Sequence, residues 1–293
     1  MKKVIVIVGP TAIGKTDLSI KLAKHYNTSI ISGDSVQVYR SLNIGSGKVT
    51  KEEMDGVKHY LIDILDPTED YSVSDFQQNA RKIIDELSEN KTIPIICGGT
   101  GYYIKAALFD YEFSNEKRTD KYDNLSNEEI YERLKILDDT HLPDVHNRIR
   151  LLRHLEILES KDEPVNKNVP LYDYLFIGLT CDRQKLYDRI NSRVDKMIED
   201  GLILEVKKLY DLNIRSKSIQ SIGYKELYDF FDGKYSLEEA IQLIKQHSRN
   251  FAKRQYTWFN NQMDTNWIDI EKEDAFKKSK ELIDIFLKKG KLD

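Results

Sequence analysis

The chain has 293 residues, enough to bury a full hydrophobic core as one large domain or two smaller ones. Its 45 Lys and Arg stand against 49 Asp and Glu for a net charge of −4, which excludes a global basic field, so any nucleic-acid contact must come from local patches. The two cysteines, Cys97 and Cys181, are far apart in strand-like runs and read as core residues in a reducing cytosol, with neither disulfide nor zinc spacing.

Val4–Val8 is a short run of β-branched residues, read as a buried parallel strand. It stops at Gly9-Pro10, and from Asp17 onward Leu18, Leu22, Ala23 and Tyr26 share one helical face. Between strand and helix lies Gly9-Pro10-Thr11-Ala12-Ile13-Gly14-Lys15-Thr16, the G-x-x-x-x-G-K-[ST] pattern of a P-loop. Its glycines let the backbone curl so that N–H groups point at phosphate oxygens, and the helix N-terminus adds unpaired amides. Lys15 supplies a point charge, and the Thr16 hydroxyl is placed to ligate Mg²⁺. The spacing therefore predicts binding of a diphosphate or longer phosphate chain without saying which. Five apolar residues after Met1-Lys2-Lys3 are too few for a signal-peptide core, and no later run reaches membrane length, so a soluble cytoplasmic protein with no membrane contact is expected.

A second strand over Ser29–Ser32 runs into Gly33-Asp34-Ser35-Val36-Gln37-Val38-Tyr39-Arg40. At the carboxyl end of a parallel strand, Asp34 faces the P-loop crevice, where it can organise Mg²⁺, act as a general base, or form only the turn that Gly-Asp-Ser favours. Another apolar run covers Tyr60–Leu65. Ser72 or Ser74 then caps a helix with Phe76, Ala80, Ile83, Ile84 and Leu87 on its buried face. Ile93–Cys97 is a strand ending in Gly98-Gly99-Thr100-Gly101. An ATP-hydrolysing protein often carries a metal- or water-binding acid there; glycines in its place tilt the reading from hydrolysis toward transfer from a bound diphosphate.

Past Leu108 the chain becomes charged, and 111–170 reads as a mainly helical insert, with 161–170 a polar loop. Ser126-Asn127-Glu128-Glu129 is a capping box ahead of Ile130, Leu134 and Leu137. Leu151, Leu155 and Leu158 form a stripe, and Arg150 and Arg153, one turn apart, present either a solvated face or one that meets a phosphate backbone. Tyr174–Thr180 resumes the sheet. The helix from Gln184 carries Arg189 and Arg193, either of which can point at the phosphates or into solvent, and a further helix is expected over Leu204–Leu212. A last helix, capped by Ser236 and Glu239, interleaves Arg249, Lys253 and Arg254 with Tyr256, Trp258 and Phe259, a composition suited either to RNA or to amphipathic packing. The expected fold is α/β: a P-loop NTPase-like parallel sheet flanked by helices (1–110 and 171–293) with a helical insert.

Several segments together resemble the tRNA dimethylallyltransferase family. The P-loop is similar to that family's Gly-Pro-Thr-Ala-Ser-Gly-Lys-Thr, with Ile13 in place of Ser. Asp34–Tyr39 resembles Asp-Ser-x-Gln-Val-Tyr, and Gly98–Tyr103 resembles Gly-Gly-Thr-Gly-x-Tyr. Arg150–Glu156, Arg193–Met197, Ile222–Glu226 and Lys253–Phe259 complete the ordered set, while Val145–Arg148 departs from the usual His-Pro-Asn-Asp. The resemblance implies transfer of a dimethylallyl group from its diphosphate to N6 of an adenosine beside the tRNA anticodon. It makes Asp34 the general base, with Lys15, Arg193 and Thr16-bound Mg²⁺ neutralising the leaving group. It also implies that Thr100 and Asp34, Ser35, Val36 and Gln37 line the channel for a flipped base, and that Ile149, Arg150, Leu151, Leu152 and Arg153 hold the anticodon arm. A monomer is expected. Competing readings are an ATP-dependent P-loop kinase, an RNA-binding NTPase switch, and the same transfer onto free AMP or ADP.

Overall fold

A computed structural model describes residues 1–113, 119–160 and 168–288. The chain opens with β1 (Lys3–Val8), α1 (Lys15–His25), β2 (Ile30–Ser32), the short α2 (Lys51–Met54), β3 (His59–Tyr60), α3 (Val73–Glu89), β4 (Ile95–Cys97) and α4 (Gly101–Leu108). It continues with α5 (Asn127–Leu137), α6 (Arg148–Ser160), β5 (Asp173–Thr180), α7 (Arg183–Glu199), α8 (Leu202–Asp211), α9 (Tyr224–Phe231), α10 (Leu237–Gln262), β6 (Thr265–Asp269) and α11 (Ala275–Lys288). The helix starts follow local chemistry. Ser72, Ser126 and Ser236 each cap a helix and exchange bonds with the acidic residue three positions on, so the first amides of α3, α5 and α10 are satisfied. Asp182 caps α7 through the amides of Gln184 and Lys185.

The strands form one parallel sheet in the order β3-β2-β4-β1-β5-β6. β1 sits inside it, paired with β4 and β5, and Val4–Val8 are fully buried because both sheet faces are covered. On one face Ile5, Ile7, Ile95, Ile177 and Leu179 meet Leu18 and Leu22 of α1 and Ile283 of α11. On the other, the Phe176 ring approaches Phe259 of α10 at 6.5 Å. The chain crosses from β1 to β2 on one side and returns to β5 and β6 on the other, so ligands are expected beyond the carboxyl ends of β1, β2 and β4.

Several expectations need correction. The apolar run at 60–65 yields strand only at His59–Tyr60, because Leu61 and Asp63 take positive φ and turn the chain away. The helix expected at Leu204 begins at Leu202, which is buried, while Leu204 is exposed. Leu137, at the end of α5, is also exposed. β6 and α11 had no counterpart in the sequence reading.

The chain divides into two compact units, one made of Met1–Leu108 with the chain from Pro170 onward, the other running from Phe109 to Val169. In the second unit α5 and α6 pack through Tyr122, Ile130, Leu134, Leu151, Leu152 and Leu155. Its two ends are tied by Asp110, whose amide donates to the Val169 carbonyl and whose carboxylate accepts the Val169 amide, each at 2.9 Å. Of the polar loop expected at 161–170, residues 161–167 lie outside the described residues.

Candidate active site

The P-loop takes its shape from two backbone positions. Gly14 caps α1 at φ 104, a conformation open to glycine, and no side chain covers the helix amides behind it. Ala12 also lies at positive φ, so the loop curls over its own centre. Lys15 folds back to donate to the Pro10 carbonyl at 2.8 Å. Burial pushes its ammonium down to about 8 from the usual 10.5, with the Arg193 guanidinium adding to the fall and the Asp34 carboxylate opposing it.

Asp34 follows β2 by two residues. Its Oδ1 accepts from the amides of Val36 (2.8 Å) and Gln37 (3.2 Å), an Asx turn that fixes the carboxylate, and Oδ2 has no hydrogen-bond partner among the described residues. The turn reading and the functional reading of Asp34 are thus compatible: one oxygen builds the loop while the other is left for chemistry. Gln37 donates to the carbonyls of Ser46 and Gly47, which draws a second loop to the same place.

Arg193 comes from the middle of α7 and donates from Nη1 to Thr11 Oγ1 at 3.2 Å. Burial lowers its pKa, opposed first by the nearby Asp34 carboxylate, and a guanidinium remains charged in such a setting. Its other flank lies on Gly47, where a Cβ would stand 1.6 Å from Nη2. Arg189, one turn earlier, is exposed, so of the two arginines only Arg193 reaches the phosphate loop.

These groups face two adjoining cavities. The smaller, about 90 Å³, is lined by Lys15, Thr16, Gln37, Gly99 and Arg193 among others. The larger, about 320 Å³, is lined by the polar Ser35 and Thr100 and by the apolar Val36, Ile190, Val194, Met197, Ile244 and Phe251, among others. Thr11, Asp34, Ser46, Arg193 and Phe251 line both, so the carboxylate and the guanidinium stand where the cavities meet. Among the described residues no cluster of three or more His, Cys, Asp or Glu could cage a metal. The hydroxyl of Thr16 and the carboxylate of Asp34 border one cavity, an oxygen-only donor pair.

Three comparisons bear on this arrangement. The family model for IPP transferases matches residues 37–262. A tRNA dimethylallyltransferase of Bacillus anthracis is 49% identical over 286 residues, covering 92% of this chain and 91% of the relative. The chain belongs to the IPP transferase family. Among solved structures, the tRNA isopentenylpyrophosphate transferase of Bacillus halodurans superposes with a TM-score of 0.79 at 43% identity, covering 100% of this chain and 99% of that one. A eukaryotic dimethylallyltransferase acting on tRNA gives the same TM-score, 0.79, at 31% identity over 92% of this chain and 74% of its own. The parallel sheet and its P-loop are thus the scaffold of an IPP transferase.

The remaining sequence candidates sit in the second unit, on α6. Ile149 and Arg150 are exposed there. Leu151 and Leu152 are not available to RNA: they are buried at 0% and 3% because they complete the packing between α5 and α6. Arg153 pairs at 3.4 Å with Glu156, a buried carboxylate. In α10, Phe259 is core and Tyr256 packs on Trp267 at 4.7 Å, so these aromatics serve packing, while Lys253 and Arg254 stay exposed.

Three residues that line or support the IPP transferase cleft had no role in the sequence reading. Glu205 of α8 accepts the amides of Asn43, Ile44 and Gly45 at 2.9–3.1 Å and the Tyr224 hydroxyl at 2.6 Å, holding the loop that ends against Arg193. Burial pushes the Tyr224 hydroxyl far up, so it stays a donor. Gln255 bridges the P-loop and the glycine turn after β4. The short motif blocks contain Tyr224 and Gln255, but nothing local marks what they touch.

Proposed function

We propose that this protein transfers a dimethylallyl group from dimethylallyl diphosphate to N6 of an adenosine adjacent to the anticodon of tRNA, releasing diphosphate. The observation that carries the mechanism is the position of Asp34 and Arg193, shared by the phosphate-loop cavity and the larger cleft. The diphosphate occupies the P-loop side, against the α1 amides and Lys15. The five-carbon tail lies along Val194, Met197 and Phe251, and the acceptor base enters beside Thr100 and Ser35. Adenine N6 is a weak nucleophile because its lone pair is delocalised into the ring. As the N6–C1 bond forms, the C1–O bond breaks and its electron pair leaves with the diphosphate, while Asp34 Oδ2 takes the N6 proton. A positioned base of this kind contributes roughly two to four orders of magnitude in rate.

Lys15, Arg193 and the loop amides stabilise charge growing on the departing oxygens. The hard hydroxyl oxygen of Thr16, on the cavity that takes the diphosphate, fits Mg²⁺, which binds through few protein ligands and substrate phosphates, and Asp34 Oδ2 is left for the proton. When bound, it would add positive charge at the leaving group. A base in an RNA stack must be flipped out to reach this cleft. Within the second unit the exposed Ile149 and Arg150 are the candidates for tRNA contact, Arg150 with the phosphate backbone, and the protein acts in the cytoplasm, where tRNA resides.

The test is incubation with radiolabelled dimethylallyl diphosphate and bulk tRNA, followed by digestion to nucleosides. Label is expected on N6-substituted adenosine, without any need for ATP. Label on free AMP at a comparable rate, or a strict dependence on ATP, would overturn the assignment.

A further inference from the structure

We infer that Gln255 is the positioning residue that sets the spacing between the leaving-group loop and the base; the inference rests on the function proposed above. Gln255 is buried, at 6% exposure, on the inner face of α10. Its Oε1 accepts the Thr11 amide at 2.9 Å, and its Nε2 donates to the Gly99 carbonyl at 3.1 Å. The next amide along, that of Thr100, donates to the Gly33 carbonyl at 3.2 Å, immediately before Asp34. An unbroken path of hydrogen bonds and peptide units therefore runs from the P-loop through Gln255 and the Gly99–Thr100 turn to the strand end that carries Asp34. The carboxamide carries an acceptor and a donor on one short planar group, whereas an ionised Glu only accepts and Met offers no donor, so neither reproduces both ends. The bond to Thr11 also takes that amide out of the phosphate-binding set and leaves the α1 terminus as the open donor group.

Gly99 offers a way to test this without touching Gln255. A Cβ at position 99 would stand 1.9 Å from Gln255 Nε2, and its three nearest atoms all belong to Gln255. Gly99 is not in the left-handed region, so alanine there acts through this one contact and displaces the amide. Loosening the bridge shifts the leaving group relative to the base, and misplacement by about 1 Å can cost a hundredfold in rate.

The experiment measures kcat and KM for both substrates, donor binding by equilibrium dialysis, and melting temperature for wild type, Gln255→Met, Gly99→Ala and the double variant. Each single variant is expected to lose ten- to hundredfold in kcat while both KM values and donor Kd stay within about threefold. The double variant should be no slower than the worse single one, because both changes break the same bridge. Unchanged kcat, multiplicative losses in the double variant, or losses confined to KM would overturn the role of Gln255. Should Gln255→Met fail to fold, Gly99→Ala alone decides on the same kcat criterion. Wild-type protein run alongside separates the two readings: absence of dimethylallyl transfer there sinks the proposed function and this inference together, whereas an active wild type with fully active variants sinks the inference only.

Discussion

Replacing Asp34 by Asn isolates proton acceptance from architecture, because only one of its oxygens is used by the fold. Oδ1 holds the amides of Val36 and Gln37, and an asparagine carbonyl can keep both bonds with its NH₂ turned to the Oδ2 position. The loop therefore survives while the base is lost. The expected fall in kcat is roughly 10² to 10⁴, or about 3 to 5 kcal/mol of transition-state stabilisation. Donor affinity should hold or tighten slightly, because a carboxylate bordering the diphosphate cavity has been neutralised. Single-turnover transfer of label from dimethylallyl diphosphate to tRNA, with donor binding measured separately, resolves the two effects. Turnover of Asp34→Asn within threefold of wild type would falsify Asp34 as the base. Asp34→Ala, which also removes the turn, should lose more than Asp34→Asn, and the difference reports what the turn contributes.

Donor binding in EDTA should weaken as pH rises through about 8, where the buried Lys15 loses its charge. The sign follows from its lowered pKa: the cationic form that attracts the anion prevails below that value. The loss between pH 7 and 9 is roughly tenfold for one such group, and a flat profile that Lys15→Met leaves unaltered would refute it. Gly47→Ala combines a left-handed backbone, φ 59, with a Cβ 1.6 Å from Arg193 Nη2. The guanidinium must retreat by roughly 2 Å to restore van der Waals contact, so kcat should fall at least tenfold with the same direction as Arg193→Ala; equal kcat to wild type would refute the role of Arg193. Arg150→Ala should reduce the slope of log tRNA affinity against log salt by about 1, with donor Kd unchanged, and an unaltered slope would leave that arginine merely solvated. Arg153→Ala should instead lower melting temperature, because it strips the pair from the buried Glu156; the same salt signature as Arg150→Ala would contradict that assignment.

What was legible in the sequence was what local pattern encodes. The run Val4–Val8, the loop glycines and the three Ser-initiated capping boxes act within a few residues, so their periodicity and spacing appear in the string itself. β6 was missed because Thr265-Asn266-Trp267-Ile268-Asp269 buries only Ile268 and its edge position demands no continuous apolar run. On α6 the local pattern marked Leu151, Leu155 and Leu158 as a stripe and left Arg150 and Arg153 open between solvent and RNA, and it was the resemblance that took the whole stretch 149–153 to meet RNA; the helix turns Leu151 and Leu152 inward while Ile149 and Arg150 stay outside. Glu205 and Gln255 belong to a third kind. Their partners at Gly45 and Thr11 lie 160 and 244 residues away, and no local period carries such a contact. Arg193 was ambiguous with Arg189 for the same reason, until the packing of α7 brought one of them to Thr11.

The glycines after β4 join these levels. The sequence suggested transfer rather than hydrolysis because no acid stands where an ATP-hydrolysing protein often has one. The packing supplies the physical cause. A Cβ at Gly98 would fall 2.3 Å from the Gly33 carbonyl oxygen, which is backbone and cannot swing aside, and one at Gly99 would meet the Gln255 amide. Neither position can accept an acidic side chain while β2 and α10 stay where they are. The space a water-activating carboxylate would fill is instead given to a close approach of β4 to Gly33, which places Thr100 next to the strand end bearing Asp34. One choice of residue thus leaves no acid at this strand end and draws Thr100 toward Asp34. It follows that Gly98→Asp should not convert the protein into a nucleotide hydrolase: it should separate β4 from Gly33 and lower the melting temperature. ATP hydrolysis by a normally folded Gly98→Asp variant would show that the spacing is not what excludes that chemistry.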